Sequence, residues 1–405
     1  MLETPVSLIT IAEARQLVLD SVRPLPAETV PLAAAVDRVL AEDIRAGSDV
    51  PPFACSAMDG YAIHAGPAGR RLRLVGESRA GAPADTPALA AGDAIRVSTG
   101  AAIPAGATAV IPQERTELDG DTVVTLVDSA EREHVRGAGE DMRSGAVVLD
   151  AGTTLGPLEL GAAIAAGAAT LTVARRPRVA VLSTGDELRE PGEPLGPGEI
   201  HNSNATMLCG LAERCGAAPT APERIPDDRD HTIATIGAAL DDAEVVVLSG
   251  GVSVGPHDHV KPALAVLGVE QRFWRVALQP GKPTWFGAAG DRLVFGLPGN
   301  PVSAVVTFSL FVAPALAALQ CGHAPRPPHG HARLGVAVRR NPERVQAVRV
   351  TVRAAPNGAL VARPTGAQGS HILSSLLGAD ALAMIPEGEG ALAPGAVVAL
   401  EALVR

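Results

Sequence analysis

Val246 to Lys261 read V-V-L-S-G-G-V-S-V-G-P-H-D-H-V-K. The stretch opens with the end of an apolar run, V-V-V-L-S at 245–249. A short continuous run of this kind suits a strand buried on both faces. A glycine pair breaks it, and His257, Asp258, His259 and Lys261 then fall within five residues. Taken alone, the stretch fits a phosphate cradle, a metal site, or a strand-to-helix turn that needs glycine.

The rhythm around it decides the fold. R-V-A-V-L-S (178–183) is another buried-type strand, followed by a glycine turn and a helix from about Asn204 to Cys215. Helices are expected over Asp227–Leu240 and Val260–Leu267, and L-V-F-G (293–296) leads through P-G-N-P into a helix at 302–319. Buried strands alternating with helices signal a parallel α/β sheet with both faces covered. Upstream, residues 8–24 have the spacing of an amphipathic helix, and Leu32–Ile44 reads as a second. Short β-rich runs between Tyr61 and Leu149, broken by Gly and Pro, suit a small, mostly antiparallel domain. Helix returns within 150–176, starting at Pro157, to pack with the first helices. P-R-P-P from Pro325 is a linker, and 331–405 carries short alternating strands. The expected division is a helical linker domain (1–50 and 146–177), a β-rich insert (51–145), an α/β domain (178–327) and a C-terminal β domain (328–405).

A chain of 405 residues needs several domains. Its net charge of -10 argues against a nucleic-acid partner, so any anionic ligand depends on local donors. The start, M-L-E-T-P-V-S, lacks the basic and apolar regions of a signal peptide. The richest apolar helix, Val302–Leu319, is expected to be interrupted by Pro314, which leaves no membrane span. Cys55, Cys209, Cys215 and Cys321 have no C-x-x-C spacing and read as reduced thiols of a cytoplasmic protein. The chain holds only two lysines, Lys261 and Lys282, both in Gly-Pro loops. An ammonium kept where arginine is otherwise used marks places where the two cations differ most. The one tyrosine, Tyr61, and both tryptophans, Trp274 and Trp285, also fall beside motifs.

Three loops fall at the carboxyl edge of the expected sheet: S-T-G-D-E-L from Ser183, S-G-G-V-S-V-G-P-H-D from Ser249, and G-L-P-G-N-P-V-S from Gly296. Open α/β sheets bind ligands at that edge. Glycine admits backbone amides close to an anion, and a following helix adds partial positive charge. None of the loops matches the P-loop or dinucleotide fingerprint. Asn300 and Asp258 also suit plain helix capping, and Asp186 or Glu187 a helix dipole. The turn carboxylates Asp59, Asp141, Glu187, Asp227, Asp228 and Asp258 suit Mg²⁺ bridging phosphates. His257 and His259 alternate on a turn with no cysteine nearby, which argues against zinc.

With these residues in hand, the chain resembles the MoeA family, the molybdopterin molybdenumtransferases related to the C-terminal part of gephyrin. The motifs are P-P-F-A-C-S-A-M-D-G-Y-A (51–62), S-T-G-A-A-I-P (98–104), R-G-A-G-E-D-M-R (136–143), the three loops above, P-G-K-P (280–283) and G-S-H-I-L-S-S (369–375). They span essentially the whole chain in order. The resemblance implies an α/β molybdopterin-binding domain, a helical linker domain, a small β domain and a C-terminal β-barrel-like domain. It implies conversion of adenylylated molybdopterin and molybdate into molybdenum cofactor and AMP, assisted by Mg²⁺ or another divalent cation. It also implies a homodimer whose site lies between the α/β domain of one subunit and the β domain of the other, and contact with the molybdopterin adenylyltransferase.

Carried over by motif, Asp59, Thr99, Asp141, Glu187, Asp258 and Lys282 are the expected catalytic residues. Arg136, Ser183, Gly185, Asp227, Gly250, Gly251, Ser253, Pro298, Asn300, Pro301 and Ser370 are the expected substrate contacts. Asp59, Asp227 and Asp258 are the candidate metal ligands, with Glu187 in acid/base chemistry and Lys282 opposite charge developing at the phosphate. Two departures stand out: Arg275 and Gln279 replace lysines of some relatives, and His257 and His259 inherit no role. Rival readings are a molybdopterin adenylyltransferase, a gephyrin-like scaffold, or insertion of tungsten in place of molybdenum.

Overall fold

Arg178–Thr184, Val245–Ser249 and Arg292–Leu297 lie side by side as parallel strands. Val179, Val181, Val245, Val247 and Phe295 enter one buried cluster, while Ala180, Leu182, Val246, Leu248 and Val294 enter another. Successive strand residues face opposite ways, so burying both faces requires an unbroken apolar run. The computed structural model describes residues 8–82, 87–252, 259–321 and 330–405. Short parallel pieces, Ala218–Pro219 and Glu223–Ile225, line the outer side of Arg178–Thr184. On the far side the sheet turns antiparallel: Trp285–Ala289 pairs with Arg292–Leu297, and Glu270–Trp274 with Trp285–Ala289. This edge hairpin carries mixed, glycine-interrupted sequence and has no periodic signal.

Helices α1 (Ile11–Asp20), α2 (Pro157–Ala165), α3 (Ser203–Arg214), α4 (Arg229–Asp242) and α5 (Val260–Val266) begin where caps allow. Thr10 and Glu13 form a reciprocal capping box on α1. Asn202 caps α3 through the Ala205 amide, and Asp228 caps α4 through that of His231. Leu208 and Leu211 of α3 join the first buried cluster, whereas Ile236 of α4 and Leu264 of α5 join the second.

Two expectations fail locally. Pro301–Leu319 is one helix of 19 residues, not broken at Pro314. Proline removes the bond to the carbonyl four residues back and crowds it. The chain widens into a π-turn at Phe308–Val312, and the freed Leu310 carbonyl accepts from Arg15 Nε at 3.3 Å. The helix is long and apolar enough to cross a membrane, yet 89% of its most apolar stretch is buried inside the protein. It is the core helix of the sheet's first face. Leu32–Ile44 is not a helix either. Only Leu32–Ala34 forms a 3-10 turn, Asp37 adopts φ 58°, and Val39 and Leu40 bridge to Thr154 and Val173. Pairing with the returning segment, including Ala27–Pro31 against Thr170–Ala174, takes the backbone groups a helix would have used.

The insert is a six-stranded sheet, antiparallel except where Arg71–Ser78 meets Asp93–Val97. In the terminal unit Val345–Ala354, Leu360–Pro364, His331–Leu334, Val397–Ala402 and Ala381–Ile385 close into a barrel, the last pairing back to the first. Leu278–Gln279 extends the barrel from the α/β unit.

Candidate active site

The three central strands end together, and their loops frame a cavity of about 720 Å³. Glycine is required at its rim. Gly250 and Gly251 have φ of 92° and 64°, and a Cβ on Gly251 would sit 2.5 Å from Val260 Cγ2. Gly185 has φ 140°, a backbone conformation that side chains rarely adopt, and a Cβ there would displace the Glu187 carboxylate. Of the expected site residues, Ser183, Glu187, Gly250, Gly251, Asn300 and Pro301 line the cavity. The terminal barrel unit contributes His371 and Leu373 to its lining.

Asn202, Ser203 and Asn204, where α3 starts, also line it. The N-terminus of this 12-residue helix favours an anion in the cavity. Asn204 is 9% exposed and its Nδ2 donates to Ser249 Oγ at 2.9 Å and to the Gly299 carbonyl at 2.7 Å. One side chain thus ties α3 to two of the three loops. Asn204 Oδ1 and Ser183 Oγ are both buried without a hydrogen-bond partner among the described residues. Each such group costs about 1–3 kcal/mol. Thr184, Ser249 and His371 lie within motifs but carry no expected role, and His201 and Asn204 lie outside every motif. The only signal for Asn204 was an amide in the first turn of an otherwise amphipathic helix.

Asn300 holds the N-cap position of the core helix, with Pro301 behind it, but its side chain does not cap. Asn300 Nδ2 donates to Ser370 Oγ at 3.0 Å, and the Ser370 carbonyl accepts from Val302 N at 3.1 Å. Since Pro301 has no N–H, this helix end offers an anion less than its position suggests. Pro298 is buried just before the loop turns.

The remaining expected residues lie elsewhere. Asp59 and Thr99 meet on the β insert, where Asp59 Oδ1 accepts from Thr99 N at 2.6 Å and from Thr99 Oγ1 at 3.0 Å. These bonds, the backbone one foremost, hold the Asp59 carboxyl below its ordinary range. Arg136 is on the strand that pairs with Cys55–Ser56, close in the fold to Asp59, and Asp141 N donates to the Val50 carbonyl at 3.0 Å. Asp227, exposed, donates its amide to Asp186 Oδ1 at 3.2 Å. Lys282 is exposed after the cis Gln279–Pro280 bond. Ser253, His257 and Asp258 fall outside the described residues. Among the described residues, no three His, Cys, Asp or Glu side chains converge as a metal site.

Lys261 Nζ lies 4.1 Å from the centre of the Trp274 ring and the Arg275 guanidinium 4.0 Å, while Trp274 Nε1 donates to the Val252 carbonyl at 3.1 Å. The indole thus anchors the base of the glycine loop and holds two cations beside it. All four cysteines are free thiols, and burial pushes Cys215 up to about 12.

Residues 9–167 match the MoeA N-terminal region (domain I and II), 180–318 a probable molybdopterin binding domain, and 331–403 the MoeA C-terminal region (domain IV). A molybdopterin molybdenumtransferase of Haemophilus influenzae is 35% identical, over 97% of this chain and 98% of its own length. The chain belongs to the MoeA family.

Molybdopterin molybdenumtransferase 2 of Mycobacterium tuberculosis, another member, is 36% identical over 95% of this chain and 97% of its own. A solved molybdopterin biosynthesis MoeA protein from Pyrococcus horikoshii OT3 superposes with a TM-score of 0.82 at 32% identity, covering 98% of this chain and all of that one. The MoeA architecture therefore accounts for the insert, the α/β unit and the terminal barrel together.

Proposed function

We propose that this chain is a molybdopterin molybdenumtransferase, which takes adenylylated molybdopterin and molybdate to molybdenum cofactor and AMP. The observation that carries the proposal is the cavity at the strand ends, rimmed by obligatory glycines and facing the start of α3. Such a site suits a phosphorylated heterocycle: backbone and helix end for the phosphate, side-chain amides and hydroxyls for the rest. Molybdate is substrate here, and the dithiolene sulfurs that take it up belong to the pterin, so no cysteine cluster is called for.

In this reading Glu187, on the cavity wall, moves protons, and Lys282 faces charge developing at the phosphate. Asp59, Thr99, Arg136 and Asp141 lie on the insert, outside the cavity of their own chain. They join the site in a homodimer, where the insert of one subunit closes the cavity of the other. Mg²⁺ fits the carboxylate chemistry of Asp59, Asp227 and Asp258 but not the arrangement of the described residues within one chain. Oxygen donors from both subunits and the substrate phosphates would complete its shell. Transfer of the adenylylated substrate from a molybdopterin adenylyltransferase, in the cytoplasm, belongs to the same proposal.

The test is AMP release by the purified protein and by Glu187→Gln and Asp59→Asn variants that retain the fold. The proposal expects both variants to lose turnover by orders of magnitude. Unchanged turnover in both removes the assignment.

A further inference from the structure

We propose that Ser183 Oγ and Asn204 Oδ1 form a recognition point on the cavity wall that hydrogen-bonds the N–H edge of an amino-substituted nitrogen heterocycle. This inference rests on the functional reading above and specifies which part of the substrate is read where.

The orientation of Asn204 is fixed by chemistry. The Gly299 carbonyl only accepts, so the side-chain nitrogen must face it, at 2.7 Å, and Oδ1 is left as the free acceptor. Ser183 and Ser249 are register partners on adjacent parallel strands and share a face, and Ser249 Oγ accepts from the same Asn204 nitrogen at 2.9 Å. Ser183, 1% exposed, and Asn204 are therefore neighbours across Ser249, and all three line the cavity. Folded proteins leave few buried polar atoms unpaired, and two of those without a partner among the described residues belong to one wall of one cavity.

The pair also selects the ligand group. Asn204 Oδ1 only accepts, and an ionised phosphate has only acceptors, so the phosphate is excluded from this point. A ring edge with an N–H or NH₂ beside a second polar atom satisfies Oδ1, while the Ser183 hydroxyl donates or accepts as that neighbour requires. The proposed substrate has two such edges, on the pterin and on the adenine.

The experiment titrates the full-length protein separately with molybdopterin and with AMP, for wild type, Ser183→Ala and Asn204→Ala, alongside thermal unfolding. Ser183→Ala is the cleaner variant, because its hydroxyl bonds no other protein group among the described residues. Its melting temperature should stay level or rise. The expected result is a loss of about 5- to 100-fold in affinity for one of the two ligands in both variants, with the other within about twofold. The ligand that weakens identifies the ring. Equal loss of both ligands would mean that Asn204 and Ser183 only support the loops, and overturns the proposal. Unchanged affinities in variants of a protein that binds both ligands overturn the proposal and leave the functional reading standing. A wild-type protein that binds neither ligand overturns both.

Discussion

The Asn300 side-chain amide donates to the Ser370 hydroxyl at 3.0 Å, across the boundary between the α/β unit and the terminal barrel. With the Ser370 carbonyl on Val302 N, the barrel supplies the cap that Asn300 does not. Asn300→Ala or Ser370→Ala removes the side-chain half of this latch and leaves the backbone half. A hydrogen bond of this kind contributes about 0.5–1.5 kcal/mol. The expected outcome is a rise of roughly 2- to 10-fold in KM for the adenylylated substrate, with a smaller change in kcat. Faster hydrogen exchange at Val302 N in the variants would locate the effect.

Thr99 keeps Asp59 ionised to lower pH, first through its backbone N–H and then through its hydroxyl. The direction follows: a depressed carboxyl pKa preserves the charged form as pH falls. Thr99→Val removes only the hydroxyl, so the Asp59 pKa should rise part of the way to its ordinary value. The acid limb of the pH–rate profile should then move to higher pH. A limb that stays put means Asp59 does not limit activity there.

Gly251 has no room for a side chain. Alanine there takes on φ 64°, a clash 2.5 Å from Val260 Cγ2, and Thr184 Oγ1 at 3.0 Å. The left-handed backbone costs about 1–2 kcal/mol and the overpacking about 1–3 kcal/mol. Gly251→Ala should lower the melting temperature and abolish AMP binding, both measurable on the same sample.

Glu244 sits at the opposite end of the sheet, with its side chain 12% exposed. Burial works against its charge, but Arg175 at 2.8 Å, the Arg178 amide at 2.7 Å and Arg292 at 3.5 Å prevail and lower its pKa. A lowered carboxyl pKa stabilises the fold above the ordinary glutamate range, and that stabilisation is lost as pH falls through the folded value. Glu244→Gln should therefore cost about 1–3 kcal/mol in urea unfolding at pH 7. The gap between the two proteins should close in acid.

A site shared between subunits makes a further demand. In the proposed shared site, Asp59→Asn and Glu187→Gln chains, each inactive alone, would form one intact site per mixed dimer. After subunit exchange at equal amounts, about a quarter of wild-type turnover should return. No recovery would place both residues in one chain's own site.

The central strands were legible because two buried faces leave an unbroken apolar run, as in V-V-V-L-S. Helix starts were legible only to within a few residues, since Asn202 and Asp228 act as caps through side-chain bonds that many loops also make. Leu32–Ile44 misled because its residues tolerate a helix while long-range pairing decides. Pro314 misled because the helix could widen and Arg15 donates to the freed Leu310 carbonyl, 295 residues along the chain from it. In the site, the motif residues marked the rim. Asn204 escaped notice because its importance lies in reaching Ser249 and Gly299 at once, which only the fold brings within range.

The most direct measurement is AMP release by the purified protein with adenylylated molybdopterin and a divalent cation, with and without molybdate. The account predicts AMP formation that depends on molybdate and matches, one for one, the molybdenum cofactor formed. AMP release indifferent to molybdate, or none in its presence, would contradict it.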